Sequence, residues 1–137
     1  MRHELRLLRV YDLEDETPGY RVLVDRLWPR GIRKENLRLD RWAKEVAPSP
    51  ELRKWFGHAE ERFNEFASLY RAELDENSAS RCFVQELLSA LEHQDVLLLY
   101  AAKNPVCNHA LILRDWLLDQ MKETEYERGS KRRYNCQ

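Results

Sequence analysis

Between Asp95 and the lysine at position 103 the chain runs Val96-Leu97-Leu98-Leu99-Tyr100-Ala101-Ala102, seven positions without a polar side chain. A helix of that length could not turn an apolar surface on every side and still meet water. A strand covered by helices on both faces can, and that is how strands of parallel sheets read. This run therefore predicts the central strand. It is also the longest apolar stretch, far short of the roughly 20 residues that cross a bilayer, so no membrane segment is expected.

Weaker signals complete the pattern. Glu4 to Tyr11 mixes charged and apolar residues near a period of two, as a strand with one covered face would. Thr17-Pro18-Gly19 is a turn signal, and Tyr20 to Asp25 reads as a second strand that breaks at Trp28-Pro29-Arg30-Gly31. Leu37, Leu39, Trp42 and Val46 form an approximate helical stripe, of which only part need be helix. Ser49-Pro50-Glu51 is a helix start and Gly57 its stop. Phe63, Phe66, Tyr70 and Leu74 recur at helical spacing. Phe83, Leu87 and Leu91 do so again after a Ser78 cap. A last helix carries Ala110, Leu113, Leu117 and Met121, begun by either Asn104-Pro105 or Asn108.

Strands alternating with helices predict one small α/β domain over residues 1–122, a mainly parallel sheet flanked by helices. Residues 123–137 are nearly free of apolar side chains and are expected to form a charged, flexible tail. At 137 residues the chain suits one domain, and 43% hydrophobic with 34% charged residues is a globular composition. Cys82, Cys107 and Cys136 are odd in number and scattered, which fits reduced thiols. With no secretory pattern after Met1, the expected compartment is the cytoplasm.

A net charge of −1 does not favour a generic nucleic-acid binder, which needs an excess of Lys and Arg. The balance conceals an asymmetry. Arg21 to Lys44 holds eight basic and three acidic residues, and His58 to Asp95 nine acidic and three basic. One positive and one negative region are therefore expected.

In open parallel sheets ligands bind beyond the carboxyl ends of the strands. That selects two loops. The first, Asp25 to Gly31, combines the Arg26 and Arg30 guanidinium groups, the Asp25 carboxylate and the Trp28 indole. These suit an anion and a planar group; alternatively, Asp25 pairs with an arginine and Trp28 packs into the core. The second, Lys103 to His109, feeds a helix whose free backbone N–H groups could receive an anion beside Lys103 and Asn108. His109 is a candidate acid or base, or a histidine bonded within its helix. Cys107 is a reactive thiolate or a small buried hydrophobe. His109 and Asp25 are thus the candidate catalytic groups. Arg26, Trp28, Arg30, Lys103 and Asn108 are the candidate binding groups.

Sharper motifs fail. Six residues separate Cys107 from Arg114, one too many for a phosphatase-type loop. Cys107 and His109 lack a second pair to complete a zinc site, so no metal is expected. There is no Gly-rich phosphate cradle, so no cofactor is expected. Trp42, Trp55 and Phe56 read as core or rim, or alternatively as the wall of a ligand site. The basic tail Arg128-Gly129-Ser130-Lys131-Arg132-Arg133 is a solvated end or a nucleic-acid contact.

The stretch Arg21-Val22-Leu23-Val24-Asp25-Arg26-Leu27-Trp28-Pro29-Arg30-Gly31 resembles the hallmark of the YeaO-like family, also called domain of unknown function 488. Trp42, Ala47-Pro48-Ser49, Leu52 to Phe56, Tyr70 to Leu74, Leu98 to Lys103 and Asn108-His109-Ala110 follow in the family order. The resemblance spans roughly Leu5 to Leu118. It implies a small α/β fold, cytoplasmic occurrence in bacteria or archaea, and no established activity. More distant relatives carry a Cys-His-Arg cluster where this chain has Asn108-His109-Ala110, so chemistry needing that arginine is not expected here. Some members are labelled transcriptional regulators, but no helix-turn-helix pattern occurs in this sequence.

Two functions remain open at this level. One is an enzyme or binder for a small anionic molecule, nucleotide-like molecules among the candidates, at the two loops. The alternative is a regulatory or interaction protein that meets nucleic acid or an acidic partner through its basic stretch.

Overall fold

A computed structural model describes residues 3–129. Four strands form one sheet: β1 (Leu5–Arg9), β2 (Tyr20–Leu23), β3 (Arg41–Trp42) and β4 (Val96–Tyr100), in the order β1-β4-β2-β3 with every pair parallel. The apolar run is indeed central, and every residue of β4 is buried. Five helices complete the domain: α1 (Lys34–Leu37), α2 (Pro50–Phe56), α3 (Phe63–Glu76), α4 (Ser78–Leu91) and α5 (His109–Gly129).

Alternation along the strands sorts two cores. Val22, Val24, Val96, Leu98 and Tyr100 face α2 to α5 and pack with Phe66, Tyr70, Phe83, Leu87, Leu113 and Leu117. Leu23, Leu97 and Leu99 face the other way, toward Val10, Leu37 and the half-buried Trp28, Ile32 and Trp42. That second face is not roofed by long helices, as the apolar run alone suggested, but by segments 10–19 and 26–40 with the single-turn α1. The buried Arg21 holds this roof. Its guanidinium donates to the carbonyls of Leu37 at 3.0 Å, Asp15 at 2.8 Å, Thr17 at 3.2 Å and Glu14 at 3.4 Å. Backbone acceptors without helical partners are thereby satisfied without a second helical layer.

The Leu37-to-Val46 stripe divides between the faces. Leu37, Leu39 and Trp42 join the loop-covered core and Val46 the helix-covered one. The chain crosses the sheet edge there as β3, so the helical spacing is a coincidence of two surfaces.

Ser49 caps α2 through Leu52 N–H and Gly57 ends it in the left-handed region, as expected. The cap of α4 is Asn77, whose side chain accepts from Ala79 N–H, rather than Ser78. Asn108 accepts from Leu111 N–H and so caps α5. That helix runs on to Gly129, so the first part of the segment expected as a tail has a helical backbone. Residues 130–137, with the basic run beyond Gly129 and Cys136, lie outside the described residues. Among the described residues Cys82 and Cys107 are free, and no helix is long and apolar enough to cross a membrane.

Candidate functional site

The chain leaves β2 toward the loop-covered face, contributing Trp28, Ile32 and Leu37, and leaves β4 into α5 on the opposite face. The carboxyl ends of these neighbouring strands therefore diverge, which is where open α/β sheets form their ligand crevice. Asp25 and His109 meet at this divergence. His109 Nε2 lies 3.1 Å from Asp25 Oδ1, with 18% and 15% of the two side chains exposed.

Main-chain bonds hold the pair in place. Val24 N–H bonds Leu99 O at 3.0 Å, extending the ladder one residue past β2. Ala101 N–H donates to Asp25 Oδ2 at 2.9 Å, and the Trp42 indole donates to the Asp25 carbonyl at 2.8 Å. His109, the first residue of α5, places Nε2 3.0 Å from the Val24 carbonyl. Both neighbours of Nε2 are acceptors, so Nε2 must carry the proton and the neutral ring has its lone pair on Nδ1. The carbonyl is the aligned acceptor. Asp25 Oδ1, though close, has no well-directed donor and remains a buried oxygen satisfied only by the field of the ring.

Around the pair stand Tyr70 and Arg26. The Tyr70 ring lies edge-on to His109, 6.3 Å between centroids, and its hydroxyl donates to the Val46 carbonyl. Burial, then the Glu73 and Asp25 carboxylates, raise its ionisation well above the ordinary tyrosine range; Arg26 opposes them. The Arg26 guanidinium reaches the Pro48 carbonyl at 3.3 and 3.4 Å and the Ala47 carbonyl at 3.4 Å. Glu73 accepts from both the backbone and the hydroxyl of Ser49, joining α3 to the cap of α2.

The other expected residues separate. Trp28 donates its indole N–H to the Ile32 carbonyl at 2.7 Å and meets Trp42 edge-on, a core role on the loop-covered face. Arg30 is exposed and its carbonyl accepts from the Tyr11 hydroxyl. Asn108 is buried and spent on the cap and on the Asn104 carbonyl. Lys103 is exposed, and Cys107, half-buried, donates its N–H to the Asn104 side chain. No group of three or more metal-binding side chains exists among the described residues.

Sequence reasoning passed over Tyr70 and Arg9 and missed the indole bond of Trp42. Tyr70 counted only as apolar surface and Trp42 as core, rim or ligand wall, although a buried hydroxyl or indole needs an acceptor. Arg9, at the end of β1, donates to the Ala101 and Ala102 carbonyls at 3.3 and 3.1 Å and fixes the start of the β4 loop.

Fold and site together define a class: a single parallel α/β domain with a mostly buried aspartate–histidine pair at the strand ends. Within that class the chain belongs to the family described as the inactive DUF488-N3 subclade, DUF488-N3i, whose model matches residues 4–136. It is 48% identical over 109 residues to "Uncharacterized protein YeaO" of Escherichia coli K12, covering 80% of this chain and 92% of that one. It is 43% identical over 113 residues to "Uncharacterized protein Rv3073c" of Mycobacterium tuberculosis H37Rv and to "Uncharacterized protein Mb3100c" of Mycobacterium bovis, covering 82% of this chain and 92% of each relative. No solved structure matches the chain.

Proposed function

We propose that this protein binds a small anionic molecule, with nucleotides among the candidates, at the carboxyl ends of β2 and β4, and that it binds without turnover. The observation that carries this reading is the Asp25–His109 contact, which draws together two loops that also bear Arg26 and Lys103. Arg26 bonds neutral carbonyls at 3.3–3.4 Å. A charged acceptor draws a guanidinium to about 2.7–2.9 Å, so an anion within reach competes well for those donors. His109 gives its Nε2–H to the Val24 carbonyl beside Asp25, which fixes the ring between the two loops.

The reading of binding without turnover rests on the family description, with its word "inactive"; the hydrogen bonds of the pair occupy Asp25 Oδ2 and His109 Nε2 and leave His109 Nδ1 unbonded among the described residues.

The test is a thermal-shift series with inorganic phosphate, nucleotides and phosphorylated metabolites on the wild type and on Lys103→Ala. Binding to the native state alone raises the melting temperature. The expected result is a rise with at least one anion, reduced in Lys103→Ala, whose side chain is exposed. No rise with any anion would overturn the reading.

A further inference from the structure

On the loop-covered face, an acidic and a basic segment lie side by side without pairing their side chains. Asp12, Glu14, Asp15 and Glu16 are exposed on the segment leaving β1, and Arg30, Arg33 and Lys34 are exposed on the segment leaving β2. The two segments are tied at several points: Arg21 bonds the carbonyls of both, Arg38 donates to the Asp15 carbonyl at 2.6 Å, and the Tyr11 hydroxyl donates to the Arg30 carbonyl at 2.9 Å. Every one of these ties uses a backbone carbonyl. Among the described residues, none of the seven charged side chains first named takes part in an ion pair.

The face is thus predominantly negative on one segment and predominantly positive on the other, where Glu35 is the acidic exception and from which Arg38 reaches back to the acidic segment; the exposed Tyr11 ring (44%), with the Arg9 guanidinium over it, lies at the seam and exposed Leu27 (57%) at the start of the basic segment. A polyanion would meet the basic half and be repelled by the acidic one; a polycation would have the opposite difficulty. The occupant that satisfies both halves carries the same two signs side by side, in reverse order. A second copy turned about a two-fold axis lying along the seam does so, and a contact of that symmetry forms each favourable pairing twice. A net charge of −1 adds little general repulsion between copies. We infer that this face is the interface of a homodimer, in which the acidic segment of each copy lies on the basic segment of the other around paired Tyr11 rings.

Sedimentation velocity of the full chain over a range of concentrations, at low and at high salt, tests this. Dimers at low salt that dissociate as salt rises are expected, since exposed charge pairs are screened. Arg33→Glu with Lys34→Glu, and separately Glu14→Lys with Asp15→Lys, should each weaken self-association by about tenfold or more, because like charges then face each other. A one-to-one mixture of the two variants should restore dimers. All four positions are exposed, and circular dichroism confirms that each variant is folded. A chain that is monomeric at low salt at every concentration would sink the inference. So would a dimer that both reversals leave unchanged, or a mixture that fails to reassociate.

Discussion

The two faces of the sheet are built from the same strands and held by different physics. On one, Val22, Val96 and Leu98 pack against four helices and burial of apolar surface does the holding. On the other, Leu23, Leu97 and Leu99 lie beneath irregular chain, and a buried guanidinium ties the loops through their carbonyls. A thick apolar layer fixes position through many small contacts, whereas a thin one depends on a few directed bonds. The carboxyl ends of β2 and β4 lie where these two regimes meet, so the Asp25–His109 pair inherits rigidity from the helix side and openness from the loop side.

The largest effect expected is on the helix side. Leu98→Ala removes a fully buried side chain from a layer that cannot close around the space and should cost about 3–4 kcal/mol by urea unfolding. Leu99→Ala, equally buried beneath the loops, should cost about 2 kcal/mol, because loop backbone can settle into the gap. Equal losses would mean that the two roofs are mechanically alike and would break the distinction.

Next comes Arg21→Met, which keeps an apolar stem and deletes the donors. Several backbone acceptors lose a partner, though those on the exposed segment can turn to water, so a loss of about 2–3 kcal/mol is expected. Hydrogen exchange should show segments 10–19 and 32–38 opening while α3 and α4 stay protected. Uniform loss of protection would show that the loop roof does not open as a unit of its own.

The contrast between the faces also explains what could be read from sequence. Apolar periodicity located α3, α4 and the body of α5, and an unbroken apolar run located β4, because there the side chains themselves perform the burial; α2 was bounded by its Ser49-Pro50 start and Gly57 stop. It did not resolve β3, whose two residues sit where the chain passes from one core to the other, nor the function of Arg21, a charge within what reads as a strand. The site followed the same division. That Asp25 and His109 lie on neighbouring loops was legible because loops after parallel strands are constrained to one edge. The bond of the Trp28 indole to the Ile32 carbonyl depends on a backbone acceptor that no side-chain pattern displays, whereas Asn108 was one of the two starts the sequence offered for the last helix.

At the junction itself, Asp25→Asn should cost about 1–2 kcal/mol. The new amide can still accept from Ala101 N–H, but its NH2 then faces His109 Nε2–H, donor against donor. Nitrogen NMR at alkaline pH provides the sharper readout: the wild-type ring should hold its proton on Nε2, bonded to Val24. A proton on Nδ1 in the wild type would contradict the proposed geometry of the pair.

The smallest effect lies at the far edge, where Tyr20 in β2 donates to Glu86 of α4 at 3.0 Å and Glu86 also pairs with Arg41. Burial, and then the Glu86 carboxylate accepting the phenol proton, push the Tyr20 ionisation from 10.0 up to about 12. The neutral phenol is the form the fold favours. Its contribution to stability is therefore complete below the unfolded value near 10 and is lost as pH rises through about 12. Absorbance of the phenolate should show one group titrating late in the wild type, and Tyr20→Phe should remove that group while flattening the alkaline fall in stability. If Tyr20 ionised with the exposed tyrosines, the hydrogen bond to Glu86 would not persist in solution. This edge would then be tied to α4 by the Arg41–Glu86 pair and the bond from Asn77 to the Glu45 carbonyl, and the contrast between the faces would rest on their centres.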